Sequence, residues 1–144
     1  MKKKQKTSRK RALFNASVIL AGLRSPGGGS AKVLGWAGSG KIIGLASEVI
    51  LDEAKKNLSR VGLTNKELEN LKLNILPAPG AKSVDYFRKV VFDPGDAHVL
   101  ASAREIKADY LVSLDRKHIL VLKGKIKGLK IVSPGELIEE LTHS

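Results

Sequence analysis

The stretch DPGDAHVLASAREIKADYLVSLD, residues 93–115, decides the fold because it joins a helical pattern to a strand pattern. Apolar residues recur at helical spacing over 93–107, and Asp93 followed by proline is typical of a helix start. The next run, YLVSL at 110–114, is short and apolar, which predicts a buried strand. A helix that leads directly into a buried strand is typical of a parallel sheet with crossover helices.

The same alternation of short apolar runs and longer helical patterns extends along the chain. Further strands are predicted for ALF at 12–14, KIIGLA at 41–46 and LKIVS at 129–133. Further helices are predicted at 16–23, 31–37, 47–59, 64–71 and 135–141. Loops rich in proline, glycine and serine are predicted at 25–30 and 76–83, and 86–91 fits either a helix end or a short strand. The fold class is therefore α/β, a three-layer α/β/α sandwich around a central, mainly parallel sheet.

The chain of 144 residues has the length of one domain, and its net charge of +12 is unevenly distributed. Seven of the 26 lysines and arginines lie within the first eleven positions, where no apolar residue follows Met1. Residues 1–10 are therefore predicted to be a basic, disordered arm, and residues 11–144 the folded domain. Such an arm either attracts a polyanion such as RNA or serves as a solubilising tail, and the sequence favours neither.

The chain contains no cysteine, which excludes disulfides, thiolate metal sites and thiol nucleophiles. This composition suits a reducing cytoplasm, which is the predicted location. The basic start and the apolar run 12–23 also resemble a secretory signal, but Asn15 and Ser17 interrupt that run. No run reaches the roughly 18 apolar residues of a membrane span, so no membrane interaction is expected.

The stretch GWAGSGK, residues 35–41, matches the glycine and lysine positions of a phosphate-binding loop. Such a loop lies between a preceding strand and a following helix, because the helix N-terminus binds the anion. Here the order is reversed, since a helix is predicted before the glycines and a strand after them. Ile42 also stands where the loop needs a hydroxyl for magnesium. We therefore interpret Gly38 and Gly40 as the end of a helix.

Several polar residues are expected at the carboxyl edge of the sheet, where the sites of open α/β proteins form. Asn15 follows ALF and Asp115 follows YLVSL, so both lie where a strand ends. Asp96 begins the inward face of its helix, and Glu53 lies on the flank of a buried helix face. The neighbouring Asp52 falls instead on a solvated stripe.

Carboxylates that converge in this way repel one another unless a cation neutralises them. Oxygen ligands without cysteine suit Mg²⁺ or Mn²⁺, and the candidate ligands are Asn15, Glu53, Asp96 and Asp115. Such an ion activates water and offsets the charge that develops on a phosphodiester. The alternative for Asp96 is a structural role, as a first-turn carboxylate that the helix dipole favours.

This ordered set of motifs resembles the PIN domain family of metal-dependent nucleases, over about residues 11–141. Four stretches carry the resemblance: ALFNASVILAGL, LASEVILDEAKKNL, DPGDAHVLASAREIKADYLVSLD and GLKIVSPGEL. It implies an α/β/α sandwich with an endoribonuclease site that uses Mg²⁺ or Mn²⁺ and acts on RNA. It also implies either the toxin of a toxin–antitoxin pair or an RNA-processing nuclease, with an antitoxin protein and a homodimer as expected partners.

The family's catalytic positions fall on Asn15, Glu53, Asp96, Asp115 and Ser113, of which all but Ser113 would bind the metal. Ser17 matches a polar position that helps to hold the first ligand. The departure is Asn15, because the family usually has aspartate there, and an amide lacks both the charge and the second acceptor oxygen. The resemblance therefore implies either a weakened or disabled nuclease or a PIN-fold protein that binds RNA without cleaving it. A deliberately replaced aspartate would give the same sequence.

The remaining candidate groups are two histidines and a set of basic residues, none of which is predicted to bind the metal. His98 is expected on the surface, pointing away from the cleft. His118 follows Asp115 by three residues and could approach the substrate, but the preferred interpretation is a loop histidine. Basic residues between Arg116 and Lys130 are expected near the proposed site, where they either position RNA phosphates or form a solvated face.

Overall fold

The computed structural model describes residues 9–91 and 93–143. Its strands are β1 (Arg11–Phe14), β2 (Ile43–Ser47), β3 (Asn74–Leu76), β4 (Tyr110–Val112) and β5 (Lys130–Val132). They form one sheet in the order β3-β2-β1-β4-β5, in which every neighbouring pair is parallel. The strand order reverses at β1, so the carboxyl ends of β1 and β4 lie side by side at the centre of one edge.

Seven α-helices connect and follow these strands in the described residues. They are α1 (Ala16–Arg24), α2 (Gly29–Ser39), α3 (Glu48–Asn57), α4 (Asn65–Glu69), α5 (Ala81–Arg88), α6 (Ala97–Glu105) and α7 (Pro134–Thr142). Single 3-10 turns lie at Ser59–Val61, Pro94–Asp96 and Leu120–Leu122. Helix α1 packs against α2 and α3, α2 also contacts α7, and α5 packs against α6. The predicted α/β/α sandwich is confirmed.

The two central strands are apolar along their whole length because helices cover both faces of the sheet. Leu13 and Phe14 of β1 and Leu111 and Val112 of β4 have no exposed surface. Phe14 pairs with Val112 in the parallel register. The next residue of each strand therefore lies at the same height, which brings two polar side chains together at the carboxyl edge.

The glycine-rich stretch 35–41 ends a helix, as the sequence predicted. Helix α2 continues to Ser39, and Gly40 adopts a left-handed conformation with φ of 86° that favours glycine. Trp36 O accepts a hydrogen bond from Lys41 N at 2.9 Å, which closes the helix end before β2. This helix–turn–strand order has the opposite polarity to a phosphate-binding loop.

The region between β2 and α6 differs from the sequence prediction. Strand β3 was not predicted, because it has only three residues and its first two are exposed at the sheet edge. The predicted loop 76–83 is shorter, since α5 begins at Ala81, and 86–91 starts as the end of that helix. The predicted helix 93–107 is divided into a 3-10 turn and α6, although Asp93 caps it as expected, with Oδ1 accepting from Gly95 N at 3.0 Å.

Most of the arm predicted for residues 1–10 lies outside the described residues. The two described members contact the fold. Arg9 Nη1 donates to Gly40 O at 3.0 Å, and Lys10 O accepts from Ile43 N at 2.8 Å. Within the described ranges, none of the helices combines the length and apolar character needed to span a bilayer.

Candidate functional site

The carboxyl edge of the sheet carries a hydrogen-bonded pair, Asn15 and Ser113. Asn15 directly follows β1 and is 6% exposed, and Ser113 directly follows β4 and has no exposed surface. Asn15 Nδ2 donates to Ser113 Oγ at 3.1 Å. Ala16 N donates to Asn15 Oδ1 at 2.8 Å, which caps α1. Both polar atoms of the Asn15 amide are therefore engaged within the protein.

Ser113 also links this pair to Asp115. Asp115 N donates to Ser113 Oγ at 3.0 Å, so the hydroxyl oxygen accepts two hydrogen bonds. Leu114 N donates to Ser17 Oγ at 3.1 Å, which ties the segment after β4 to the first turn of α1. These bonds hold the backbone of 113–115 against α1 and thereby place Asp115 at the edge of the sheet.

Asp115 begins a tight turn that brings His118 back toward it. Asp115 O accepts hydrogen bonds from Ile119 N at 3.2 Å and Leu120 N at 2.8 Å. Asp115 Oδ1 accepts from His118 N at 3.0 Å. Side chains three residues apart face each other in such a turn, and His118 Nδ1 lies 3.3 Å from Asp115 Oδ2. The same ring nitrogen lies 3.8 Å from Asp96 Oδ2.

Asp96 is the last residue of the 3-10 turn before α6, and its side chain is 20% exposed. Its Oδ2 is buried and has no hydrogen-bond partner among the described residues. Burial, followed by the charge of Asp115, raises the pKa of Asp96 to about 6, and His118 opposes this rise. A buried carboxylate oxygen beside a second carboxylate needs a positive partner or a proton.

Glu53 lies on α3 at the margin of this cluster. Much of its surface is open to solvent, yet partial desolvation of the carboxylate raises its pKa. Lys56 lowers that pKa and Asp115 raises it further, so Glu53 is close enough to interact with Asp115 electrostatically. Glu53 also contributes to the raised pKa of Asp96. Asp96 and Asp115 therefore meet at one edge of the sheet, and Glu53 lies within electrostatic range of both.

The tightest group of possible metal ligands is Asp96, Asp115 and His118. Each of these residues offers one donor atom that lies within 4.8 Å of the other two. The spacing of His118, three residues after Asp115, indicated that it could approach the substrate, but a loop histidine was the preferred interpretation and His118 was not among the predicted metal ligands. Glu53 and Asn15 lie outside this group, at its margin.

His98 is half-buried, whereas the sequence predicted a surface residue. Its neighbours on α6, Ala97 and Val99, are buried because α5 packs against this helix. Burial lowers the pKa of His98, and its Nδ1 has no hydrogen-bond partner among the described residues. His98 is less exposed than predicted because the buried residues of α6 cover more than one face of the helix.

The basic residues after Asp115 divide between the two edges of the sheet. Arg116 and Lys117 follow Asp115 directly and lie at the carboxyl edge. Lys125 and Lys127 precede β5 and line a groove of about 530 Å³ near its amino end. The expectation that all these residues lie near the site was wrong, because a connection between parallel strands must return to the opposite edge of the sheet.

Comparison with known proteins assigns a family to this architecture. The sequence model of the PIN domain matches residues 11–117, which is most of the chain. The chain belongs to the PIN domain family. Curated protein sequences yield no significant match.

Solved structures similar to this PIN domain share its fold at low sequence identity. PAE2754 from Pyrobaculum aerophilum has a TM-score of 0.65 and 19% identity over 94% of this chain and 91% of that chain. VapBC2 from Rickettsia felis, bound to a DNA fragment from its promoter, has a TM-score of 0.62 and 14% identity over 85% and 97%. VapC20 from Mycobacterium tuberculosis, a toxin that cleaves the sarcin-ricin loop, has a TM-score of 0.53 and 14% identity over 72% and 89%.

Proposed function

We propose that this PIN domain is an endoribonuclease that depends on Mg²⁺ or Mn²⁺ and that Asn15 weakens its site. One observation carries the proposal: Asp96 and Asp115 meet at the carboxyl edge, and the buried Asp96 Oδ2 has no hydrogen-bond partner among the described residues. A divalent cation would neutralise these two carboxylates and coordinate Asp96 Oδ2. Membership of the PIN domain family supports RNA as the substrate.

The donor set at this edge fits a hard or borderline dication. Asp96 and Asp115 would hold it, with Glu53 approaching from the margin and Asn15 as a weak further ligand. Asn15 Oδ1 already accepts a hydrogen bond from Ala16 N, but an amide oxygen has a second lone pair. The missing charge at Asn15 would reduce the affinity for the cation rather than exclude it.

A bound dication would lower the pKa of water and offset negative charge on the phosphodiester. Glu53, whose pKa is raised by burial, would take the proton of the attacking water, and Arg116 and Lys117 would attract the RNA phosphates. In the reaction, water loses a proton and its oxygen bonds to phosphorus. One phosphorus–oxygen bond of the RNA backbone then breaks, and the leaving oxygen takes up a proton.

Cleavage of a mixed-sequence RNA in Mn²⁺ or Mg²⁺ tests this proposal with three proteins. The chain itself is expected to cleave slowly, Asn15→Asp about tenfold or more faster, and Asp96→Ala not measurably. Circular dichroism and thermal unfolding establish that each variant is folded. Absence of cleavage by both the chain and Asn15→Asp, with either ion, would contradict the nuclease proposal.

The second candidate is a PIN-fold protein that binds RNA without cleaving it. It is favoured by Asn15, whose oxygen and nitrogen are both engaged by the protein, and by the net charge of +12. RNA binding by the chain without cleavage, together with cleavage by Asn15→Asp, would support this candidate.

We also propose that the protein works in the cytoplasm as the toxin of a toxin–antitoxin pair, with an RNA-processing nuclease as the other role. The similar structures include VapBC2 and the toxin VapC20, which supports an antitoxin protein as a partner. A homodimer is the expected assembly of the chain alone. Light scattering would then give twice the chain mass of 15.5 kDa. Expression of the chain alone is expected to arrest growth, and co-expression with an antitoxin to relieve that arrest.

A further inference from the structure

The His118 ring lies next to the carboxylates of both Asp96 and Asp115. Its Nδ1 lies 3.3 Å from Asp115 Oδ2 and 3.8 Å from Asp96 Oδ2. Ligands about 2.1 Å from an octahedral ion are about 3 Å apart when adjacent and about 4.2 Å apart when opposite. Both measured distances fall within this range, and all three donors lie within 4.8 Å of one another, so small side-chain movements would let them share one ion.

The turn after Asp115 holds the ring in this position. Asp115 Oδ1 accepts from His118 N at 3.0 Å, which leaves Oδ2 of the same carboxylate facing the ring. The following residue, Ile119, has no exposed surface and anchors the turn in the core. The side chain of His118 is 39% exposed, so its ring can move from its present contacts to bind a metal ion.

Asn15 is a weaker metal ligand than aspartate, and the imidazole of His118 offers a further donor atom at the same site. The Asn15 amide caps α1 and donates to Ser113, and it supplies no negative charge. Asp96 Oδ2 meanwhile lacks a hydrogen-bond partner among the described residues and faces the imidazole. An imidazole nitrogen beside two carboxylates is a mixed nitrogen and oxygen donor set.

We infer that His118 is a metal ligand of this chain and that its site selects a transition-metal dication such as Mn²⁺ over Mg²⁺. Imidazole binds first-row transition metals readily, whereas Mg²⁺ prefers oxygen ligands and retains its waters. The inference rests on the proposed function only for the presence of a cation. It changes the expected ligand set from four oxygen donors to two carboxylates and one imidazole, with Glu53 and Asn15 at the margin.

The opposing role for His118 is that of a counterion, which neutralises Asp96 and Asp115 when no metal is bound. The two roles have opposite consequences. Removal of a ligand weakens the binding of Mn²⁺ and leaves Mg²⁺ nearly unaffected, whereas removal of a counterion strengthens the binding of both ions. The sign of the change therefore decides between them.

Calorimetric titration of the full chain with Mn²⁺ and with Mg²⁺ tests the inference. Mn²⁺ is expected to bind the chain at least about tenfold more tightly than Mg²⁺, and His118→Ala to remove most of that difference. His143→Ala is the matched control, because His143 Nε2 lies 3.4 Å from Glu139 Oε1 and forms a similar imidazole–carboxylate pair outside the site. It should leave both affinities unchanged.

Pulsed electron paramagnetic resonance of Mn²⁺ bound to the unmodified chain gives a readout that needs no variant. Direct coupling to one imidazole nitrogen is expected, with loss of that coupling in His118→Ala and in His118→Gln. Equal affinities for the two ions with no nitrogen coupling, or tighter binding of both ions by His118→Ala, would overturn the inference. If Mn²⁺ binds with nitrogen coupling but neither the chain nor Asn15→Asp cleaves RNA, the inference stands and the nuclease proposal fails. Cleavage without coupling gives the reverse result.

Discussion

Ser113 Oγ accepts a hydrogen bond from Asn15 Nδ2 at 3.1 Å, across the junction of the two central strands. The same oxygen accepts from Asp115 N, and the hydroxyl hydrogen of Ser113 serves neither bond. Rotation of this hydroxyl would let it donate to a carboxylate at position 15. The site can therefore accommodate aspartate in place of Asn15 without a change in the backbone.

The first prediction concerns Asn15→Asp. We expect the metal-free variant to lose about 1–2 kcal/mol of folding stability, because another carboxylate joins Asp96 and Asp115. Mn²⁺ should then raise its melting temperature by several degrees more than it raises that of the parent chain. Thermal unfolding with and without Mn²⁺ measures both effects. In the double variant Asn15→Asp with Ser113→Ala, the Ser113 hydroxyl can no longer donate to the carboxylate at position 15, so the rise in melting temperature with Mn²⁺ should be smaller. Equal Mn²⁺ shifts in parent and Asn15→Asp would contradict this prediction.

The second prediction concerns Asp96→Asn. The pKa of Asp96 is raised to about 6, so the folded state binds a proton between about pH 4 and 6 that the unfolded state has released. The contribution of Asp96 to stability therefore falls as the pH rises through this window. Asp96→Asn should stabilise the metal-free chain by about 1–3 kcal/mol at neutral pH and flatten this part of the pH profile. It should also abolish the stabilisation by Mn²⁺.

Urea unfolding at a series of pH values measures this effect. Asp85→Asn is the matched control, because Asp85 is an exposed carboxylate on α5 whose partner is Arg88, at 3.6 Å. Its removal should change stability by less than about 0.5 kcal/mol at every pH. A loss of stability in metal-free Asp96→Asn at neutral pH would show that this carboxylate supports the fold instead of opposing it.

The third prediction separates the two adjacent acids of α3. Glu53 interacts electrostatically with Asp115, and Asp52 is an exposed neighbour on the same helix. Glu53→Gln should lower Mn²⁺-dependent RNA cleavage by about tenfold or more, with little change in folding stability. Asp52→Asn should stay within about twofold of the parent. These rates are best measured in the Asn15→Asp background, where cleavage is fastest. Equal losses in the two variants would mean that the negative charge of α3, not the position of Glu53, supports cleavage.

The residues that follow the central strands could be predicted from the sequence because topology alone places them. In a parallel sheet the ends of neighbouring strands lie at one edge, so Asn15 after β1 and the polar residues after β4 had to lie near one another. The predicted strand 110–114 ends at Val112 in the structure, so Ser113 and not Asp115 is the direct partner of Asn15. The helix patterns likewise placed Asp96 at the start of α6 and Glu53 beside the buried face of α3. The metal-binding roles of these residues remain predictions.

Other features depend on tertiary structure that no local pattern encodes. The spacing of His118 from Asp115 could be seen in the sequence, but the turn that brings its ring close to both Asp115 and Asp96 could not. Strand β3 has three residues and exists because it pairs with β2, as shown by the register of Ile75 with Ala46. The positions of Lys125 and Lys127 followed from the return of the chain to the amino edge, which could have been predicted from the parallel order.

The fourth prediction concerns the close approach of α2 to the sheet at Gly44. A Cβ at this position would lie 2.5 Å from Ala37 Cβ and 2.7 Å from Leu73 Cδ2. Gly44→Ala should therefore cost about 1–3 kcal/mol through overpacking, measured by urea unfolding. The control is Gly35→Ala on α2, where a Cβ would meet nothing within 4 Å. That variant should gain about 0.5–1 kcal/mol, because alanine favours the helix. A stable Gly44→Ala would mean that α2 can move away from β2 at little cost.

The fifth prediction concerns the basic residues at the start of the chain and distinguishes RNA attraction from a solubilising role. Residues 1–8 contain four lysines. If these lysines contact RNA phosphates, each displaces about 0.7 counterion from a single strand, so deletion of 1–8 should reduce the slope of log K against log salt by up to about three. A variant with the same four lysines changed to glutamine keeps the length and should show the same reduction. Binding of single-stranded RNA to a catalytically inactive Asp96→Ala background, at several salt concentrations, measures the slope. An unchanged slope with lower solubility would assign these lysines to solubility alone.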